Sequence, residues 1–185
     1  MGDLIYTALQ SLDGYVADEQ GEFGWAKPGE EVHAFVNDLT RPIGTHLFGR
    51  RMYGVMAVWE RPEELPGMTE AMRDFAALWR TTDKVVYSRT LDSVSTERTR
   101  LEREFDADAV RALKQSSERD LAIGGPELAA SAFRADLVDE LQIFVVPAIV
   151  GGGTESLPAG VRLDLELVEE RRFDNGTAYL RYRTR

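Results

Sequence analysis

The stretch that decides the fold is DLAIGGPELAASAFRADLVDELQIFVVPAIVGGGTESL, from Asp120 to Leu157. Leu121 to Ile123 is a short apolar run that predicts a β-strand, and the following pair Gly124-Gly125 predicts a tight turn. Pro126 suits the first position of a helix, where its missing N–H is not needed. The stretch therefore predicts a strand, a glycine turn and a helix in direct succession.

The second half of the stretch predicts the centre of a sheet. The helix has an apolar face, and residues 136 to 147 then form a nearly continuous apolar run, which is typical of a strand buried on both sides. A second glycine cluster, Gly151 to Gly153, follows that strand. The two glycine-rich turns could therefore lie at the same edge of one sheet. The predicted apolar face of the helix consists of Leu128, Ala129, Ala132 and Phe133.

The Gly124-Gly125 turn has two interpretations. A helix that begins directly after a strand points its free N–H groups and its positive dipole end out of the turn, and residues without a Cβ let an anion approach the backbone. This arrangement would hold a phosphate. An ordinary tight turn between a strand and a helix has the same sequence pattern, so the glycines alone leave both interpretations open.

The segment from Ile123 to Gly153 resembles the end of the reductase domain of riboflavin biosynthesis, which is itself similar to dihydrofolate reductase. This resemblance implies that the Gly124-Gly125 turn and the start of the next helix contact the pyrophosphate of NADPH. The residues so assigned to the cofactor are Gly124, Gly125, Pro126, Glu127 and Leu128.

Composition excludes several classes of function. The 185 residues carry a net charge of −10, which argues against nucleic acid and against an anionic membrane surface, because both require a basic face. Without cysteine there is no disulfide framework or thiolate nucleophile, and no metal site is expected from two histidines. The length predicts one domain over residues 1–185. The N-terminal residues lack the pattern of a signal peptide, so a cytoplasmic location is expected.

A second resemblance follows the first predicted strand, Leu4 to Leu9. The segment Ser11-Leu12-Asp13-Gly14 is similar to the Ser-x-Asp-Gly segment that borders the nicotinamide and the substrate in riboflavin-type reductases. It implies that Ala8 and Asp13 contact the substrate and that Asp13 is a candidate catalytic residue. Asp-Gly is also a common turn sequence, and a turn alone would explain Asp13 and Gly14 without any contact to a substrate.

The spacing of Trp25, Pro28 and Glu30 resembles dihydrofolate reductases, in which an acidic residue at the start of a pocket-lining helix binds the heterocycle. The resemblance implies that Trp25 contacts the substrate and that Glu30 is the first candidate for a catalytic acid, ahead of Asp13. Partial desolvation beside the Trp25 indole would favour the protonated carboxyl. Alternatively, Glu30 is a solvated carboxylate in the first turn of a helix.

Two turns carry arginine in this acidic chain. Thr45 to Phe48 predicts a strand that leads into Gly49-Arg50-Arg51-Met52-Tyr53, and Asp83 to Tyr87 predicts a strand that leads into Ser88-Arg89. Both turns resemble the places where dihydrofolate-reductase-like proteins read the 2′-phosphate of NADPH, although Met52 stands where threonine is usual. A guanidinium beside a helix start suits a phosphate dianion, whereas solvated surface charge would explain the arginines without a ligand. The residues assigned to the cofactor here are Gly49, Arg50, Arg51, Tyr53, Ser88 and Arg89.

The remaining elements complete an α/β pattern. Residues 94 to 98 predict a short strand, residues 106 to 115 a helix, and Asn175-Gly176 a hairpin turn between two alternating runs at the C-terminus. The order of elements predicts a three-layer α/β/α fold, with a mostly parallel sheet and a C-terminal antiparallel hairpin. The resemblance identifies this as the dihydrofolate-reductase-like fold.

The sequence thus predicts an NADPH-dependent reductase that transfers hydride to a small heterocyclic substrate, such as a pterin or pyrimidinone, or to a ribityl-type substrate. A non-catalytic NADPH- or pterin-binding protein that uses the same cleft is the alternative. The resemblance to dimeric riboflavin-type reductases, together with an apolar C-terminal sheet edge, predicts a homodimer.

Overall fold

A computed structural model describes residues 1–185 of the chain. Its ten strands are β1 Leu4–Ser11, β2 Tyr15–Ala17, β3 Ile43–Gly49, β4 Asp83–Tyr87, β5 Thr99–Glu102, β6 Asp120–Gly124, β7 Glu140–Val146, β8 Thr154–Glu155, β9 Leu165–Arg172 and β10 Ala178–Thr184. Its five α-helices are α1 Glu30–Thr40, α2 Arg50–Met56, α3 Glu70–Thr81, α4 Ala107–Ser116 and α5 Pro126–Arg134.

An eight-stranded sheet in the order β5-β4-β3-β6-β1-β7-β10-β9 forms the middle layer. The strands from β5 to β7 in this order are parallel to one another. β10 is antiparallel to β7 and to β9, so the two final strands form an antiparallel hairpin at one side of the sheet. β2 and β8 pair separately as a two-stranded sheet.

The main core lies between the sheet and the helices α4 and α5. The apolar face predicted for α5 is buried here, and it packs on side chains from the central strands β1, β3, β6 and β7. Burial of this continuous apolar surface is the main favourable term in folding. The fully buried members of the cluster include Leu4, Leu47, Leu121, Ala129 and Ala132.

The opposite face of the sheet is covered by α1, α2 and α3. Val32 and Phe35 of α1 pack on an aromatic cluster from β7, the hairpin turn and β10, while α2 and α3 pack on β3 and β4 through Tyr53 and Trp79. Helices thus lie on both faces, and the predicted three-layer α/β/α fold with a mostly parallel sheet and a C-terminal antiparallel hairpin is confirmed. The aromatic cluster of β7 and β10 consists of Phe144, Phe173 and Tyr179.

The strand predicted at residues 94–98 is wrong, because the edge strand β5 begins later, at Thr99. The backbone N–H groups of Ser95 and Thr96 donate to the Tyr53 hydroxyl at 2.9 and 3.2 Å, and that of Glu97 donates to a Glu60 carboxylate oxygen at 3.2 Å. Backbone donors that are held by side chains in this way cannot join a ladder of the sheet. The segment is therefore an anchored loop.

None of the helices combines the length and the apolar character that crossing a membrane would require.

Two polar side chains are buried beneath α3. The imidazole of His46 stacks on Phe48 with a ring-centroid distance of 5.3 Å, and the ammonium of Lys84 donates to the carbonyl oxygens of Trp79 and Thr82. Burial, with a smaller contribution from the charge of Lys84, lowers the pKa of His46 to about 4. The folded protein therefore favours neutral His46.

We predict that this histidine makes the protein less stable in mild acid. An unfolded histidine titrates near pH ~6.5, so below that pH the unfolded chain binds a proton that the folded protein rejects. The free energy of unfolding should fall by about 2 kcal/mol between pH ~7 and ~5 from this group alone. Urea denaturation at the two pH values measures the difference, and His46→Gln should reduce it by that amount. An equally large pH difference in His46→Gln would contradict the assignment, whatever the variant's absolute stability.

Candidate active site

Four loops meet at one edge of the sheet because the strands that lead into them run in the same direction. β1 lies between β6 and β7, and β3 lies on the other side of β6. The carboxyl ends of these strands therefore bring together the segments that follow them, which is where ligands bind in open α/β sheets. The segments are residues 12–14, 49–53, 124–128 and 147–153.

The two glycines of the β6–α5 turn are required for different reasons. Gly125 has φ +89° and is the N-cap residue of α5, which has no side-chain cap. Gly124 packs under Phe48, because a Cβ on it would lie 2.7 Å from the Phe48 Cε1 atom. Positive φ is thus needed at Gly125, while close packing is what excludes a larger residue at Gly124. Pro126 occupies the first position of the helix, as predicted.

The start of α2 lies beside the start of α5. A Cβ on Gly49, the N-cap residue of α2, would lie 3.8 Å from the Leu128 Cβ, and one on Gly125 would lie 3.2 Å from the Met52 Cβ. Arg51 donates to the carboxylate of Glu127 at 3.2 Å across the same gap. Neither helix has a side-chain N-cap. Two uncapped helix starts therefore adjoin, and the structure brings together the predicted residues 49–52 and 124–128.

The three predicted arginines differ in their partners. Arg51 pairs with Glu127 and Arg89 pairs with Glu104 at 3.3 Å, and all four side chains are mostly exposed. Arg50 has no carboxylate partner, and its guanidinium donates to the Thr90 hydroxyl at 3.2 Å. Arg50 is therefore the arginine of this edge whose charge is not neutralised.

The turn after β4 is fixed by side chains. The Ser88 hydroxyl accepts the N–H groups of Thr90 and Leu91 at 3.3 and 3.0 Å, so this predicted cofactor residue also stabilises its own turn. Arg103 donates to the carbonyl oxygens of Ser88 and Leu91 at 3.3 and 2.5 Å. The sequence reasoning missed Thr90 and Arg103. Thr90 directly follows the Ser-Arg pair, whereas the contacts of Arg103 depend on the pairing of β4 with β5.

Tyr53 is not placed to contact a cofactor through its hydroxyl. The residue is 5% exposed, and its hydroxyl accepts the N–H groups of Ser95 and Thr96 in the anchored loop. The predicted contact of Tyr53 with the cofactor can therefore not be made by its hydroxyl. The Tyr53 side chain links α2 to the loop before β5.

Asp13 joins two of the loops at this edge. Its carboxylate accepts the backbone N–H of Gly151 at 2.8 Å and that of Val150 at 3.2 Å. A hydrogen bond from Ser11, together with those from Gly151 and Val150, holds the pKa of Asp13 below its usual value. Asp13 is therefore a carboxylate at neutral pH, which suits a residue that positions loops and does not suit a proton donor.

Glu30 begins α1 as predicted, but its side chain is exposed, so the desolvation expected for it is wrong. Trp25 lies in a short 3₁₀ turn and donates its indole N–H to the carbonyl of Glu22, and it does not enclose Glu30. The carboxylate of α1 that has partners is that of Glu31, which accepts from Arg171 and from the backbone of Asp174. Glu30 is left as a free carboxylate.

Ala8, the remaining residue assigned to the substrate, is buried in β1 and packs in the main core. Of two pockets, one adjoins the shared edge at Pro126 and Glu127, and the other lies apart from it. One borders the outer side of α5 beside residues 154–158, and the other lies near the C-terminus at Phe133 and Leu163. No group of acidic or histidine side chains has the arrangement of a metal site. The chemistry of the region is that of backbone N–H groups, arginines and two carboxylates.

We predict that Gly125→Ala destabilises the fold even without a ligand. A Cβ at φ +89° is strained, and it would also press on Met52, so the free energy of unfolding should fall by about 1 to 3 kcal/mol. Gly54→Ala is the matched control, because Gly54 lies in α2 with open space around it and should gain up to about 1 kcal/mol. Chemical denaturation checks both variants. Equal stability of Gly125→Ala and the wild-type protein would show that the turn tolerates a side chain.

Comparison with known proteins gives the family. A profile of the RibD C-terminal domain matches residues 3–179. Uncharacterized protein YyaP of Bacillus subtilis (strain 168) is 24% identical over 181 residues, covering 97% of this chain and 93% of that protein. The crystal structure of a putative riboflavin biosynthesis protein from Shewanella sp. PV-4 aligns with a TM-score of 0.77 at 20% identity over 99% of both chains. Dihydrofolate reductase from Enterococcus faecalis, complexed with NADP(H), aligns with a TM-score of 0.67 at 18% identity over 99% of this chain and 96% of that one. The chain therefore belongs to the RibD C-terminal domain family and has the dihydrofolate-reductase-like fold.

Proposed function

We propose that this protein is an NADPH-dependent reductase that transfers hydride to a small heterocyclic substrate of the pterin or pyrimidinone class, or to a ribityl-type substrate. The observation that carries the proposal is the meeting of two uncapped helix starts beside an arginine that has no carboxylate partner. Membership in a family of reductases supports it. The solved dihydrofolate reductase of similar fold is a complex with NADP(H).

The residues at the shared edge suit the anionic parts of NADPH. Backbone N–H groups at the starts of α2 and α5 would hold the pyrophosphate, and the absence of a Cβ on Gly125 leaves its backbone accessible. Arg50 would hold the 2′-phosphate, because a guanidinium makes charge-assisted hydrogen bonds to phosphate oxygens. When bound, the reduced nicotinamide supplies the hydride.

The two candidate carboxylates take different tasks in this proposal. Asp13 holds the loop of Val150 and Gly151 against the end of β1, beside the place where substrate and nicotinamide would meet. The Glu30 side chain makes no hydrogen bond or ion pair, so it is the carboxylate available to contact a bound heterocycle. Reduction of a C=N or C=O bond needs a proton as well as a hydride, and Glu30 is proposed to supply it.

The decisive experiment measures oxidation of NADPH by absorbance in the presence of a panel of dihydropterins, pyrimidinones and ribityl-type compounds. Turnover of one class of compound supports the proposal and names the substrate. Binding of NADPH in calorimetry without turnover of any compound would favour a non-catalytic NADPH- or pterin-binding protein. An unchanged melting temperature at millimolar NADPH would overturn the reductase and any other NADPH-binding role, because a ligand that binds the folded state raises its melting temperature.

We predict that the protein prefers NADPH to NADH and that Arg50 is the main cause. A hydrogen bond to a charged group contributes about 1.5 to 3 kcal/mol, so Arg50→Gln should weaken NADPH binding about tenfold or more and leave NADH binding nearly unchanged. Arg51→Gln is the matched control with a smaller expected loss, since Arg51 is already paired with Glu127. Calorimetric titration of both cofactors checks this. Equal dissociation constants for NADPH and NADH in the wild-type protein would contradict it.

We predict that Glu30→Gln leaves NADPH binding intact and lowers turnover of the substrate found above by about 10²-fold, the usual contribution of a general acid. The comparison variant is Asp13→Asn, which keeps one acceptor oxygen for the loop. Stopped-flow measurement of hydride transfer at neutral pH separates the two variants. Normal turnover by Glu30→Gln would mean that the proton comes from elsewhere and that Glu30 is a solvated first-turn carboxylate.

A homodimer is also proposed. Leu165 and Leu167 of the edge strand β9 pair with Thr184 and Tyr182, and Tyr182 packs against the main core, so the leucines lie on that side of the sheet beyond the covering helices. They are 38% and 48% exposed, and the neighbouring Val168 is 46% exposed. An edge strand with exposed apolar side chains is a surface that a second copy of the chain could cover.

We predict a dimeric mass for the wild-type protein in light scattering at micromolar concentration. Leu167→Glu should convert it to a monomer, because a carboxylate would be buried in the interface. Val58→Glu is the control, since Val58 is exposed to a similar extent, 45%, but lies on the opposite side of the molecule's sheet near α2. A monomeric mass for the wild-type protein would contradict the proposed homodimer.

A further inference from the structure

The turn from Ser88 to Leu91 is held from outside by the residues that follow β5. The Ser88 N–H donates to the Glu102 carbonyl at 2.9 Å, which continues the pairing of β4 with β5. One residue later, the Arg103 guanidinium donates to the carbonyl oxygens of Ser88 and Leu91, the first and last residues of the turn. Arg103 thereby links the first and last residues of the turn, and the Ser88 hydroxyl binds the N–H groups of Thr90 and Leu91.

A chain of contacts leads from this turn to the starts of α2 and α5. The Ser88 hydroxyl fixes the N–H of Thr90, and the Thr90 hydroxyl accepts a hydrogen bond from Arg50 at 3.2 Å. Arg50 is the first residue of α2 and, of the three arginines predicted to bind the cofactor, the one without a carboxylate partner. The position of Thr90 therefore helps to decide where the Arg50 guanidinium points.

We propose that Arg103 is a positioning residue for cofactor preference: it holds the Ser88 to Leu91 turn so that Thr90 orients Arg50 towards the 2′-phosphate. This inference rests on the proposed use of NADPH. Arg103 makes no ion pair with a carboxylate, and one nitrogen of its guanidinium donates to two carbonyl oxygens of the same turn. A lysine ammonium carries several N–H donors on one nitrogen, so it can restore these contacts in part if it reaches the same position.

The physical reason is preorganisation. Arg50 is a long side chain, and holding it in one orientation costs conformational entropy each time a ligand binds. A Thr90 hydroxyl in a fixed position restricts Arg50 in the free protein, so less conformational entropy is lost when the ligand binds. If the turn loosens, Arg50 keeps its charge but loses its orientation, so recognition of the 2′-phosphate weakens while contacts to the pyrophosphate and nicotinamide remain.

The test compares Arg103→Gln, Arg103→Lys and the control Arg100→Gln with the wild-type protein. Arg100 lies three residues before Arg103, in β5, and it pairs with Glu102 without touching the turn. Calorimetry with NADPH and NADH should show NADPH affinity about tenfold lower in Arg103→Gln and NADH affinity changed less than twofold, with Arg103→Lys in between. The fragments 2′,5′-ADP and 5′-AMP should repeat this difference. Hydrogen exchange of the Thr90 and Leu91 amides in the free protein reports whether the turn has loosened.

The outcomes distinguish the positioning role of Arg103 from the proposed use of NADPH. Equal affinity of the wild-type protein for NADPH and NADH would overturn the proposed cofactor and this inference together. A preference for NADPH that survives in Arg103→Gln, although the Thr90 and Leu91 amides exchange faster, would overturn the positioning role alone. If Arg103→Gln does not fold, Ser88→Ala is the second variant, because it removes the hydroxyl that accepts the same two amide N–H groups. It should shift the ratio of NADPH to NADH affinity in the same direction, and an unchanged ratio there would also overturn the role.

Discussion

The parallel pairing of β1 with β6 on one side and with β7 on the other is the constraint on which the rest of the structure depends. The start of β1 is fixed by Asp139, whose carboxylate accepts the Leu4 N–H at 2.6 Å and pairs with the buried ammonium of Lys114. Asp139 also donates its own N–H to the Leu4 carbonyl. Because β1 is aligned with both neighbours from this point, the three strands end at the same edge. Two glycine-rich turns and the Asp13 loop then have to meet there.

Features with strong local signals were predictable from the sequence. The Gly125-Pro126 pair combines a residue that tolerates positive φ with one that suits a helix start, and neither property depends on the rest of the chain. The Asn175-Gly176 turn is similar: Gly176 has φ +84°, and the Asn175 side chain accepts the Thr177 N–H. Residues 94–98 show the opposite case. The β-branched Val94 and Thr96 favour a strand. Tyr53 and Glu60, distant in sequence, hold the backbone donors of this segment, and no local pattern contains that information.

The candidate site was predictable in its location and unpredictable in its pairing. The arginines at 50, 51 and 89 follow strands β3 and β4, so their place at the edge follows from the order of elements. Which of them faces a carboxylate depends on Glu127 from α5 and Glu104 from beyond β5, and these meetings are set by tertiary packing. Glu30 illustrates the same limit. The helix it begins was expected, whereas its exposure was not, because the Trp25 indole is bound to the Glu22 carbonyl in the preceding 3₁₀ turn.

The exposed ion pairs explain how an acidic protein can offer an anion a positive surface. With a net charge of −10, long-range attraction of a phosphorylated ligand is weak, so affinity must come from contacts at short range. Arg51 and Arg89 are neutralised by Glu127 and Glu104 in the free protein, but exposed pairs of this kind contribute only about 0 to 1 kcal/mol. A phosphate dianion that is also held by backbone N–H groups can displace such a carboxylate at little cost. Arg50 has no carboxylate partner that a phosphate would have to displace. The turn that orients Arg50 therefore influences phosphate binding more than the number of nearby arginines does.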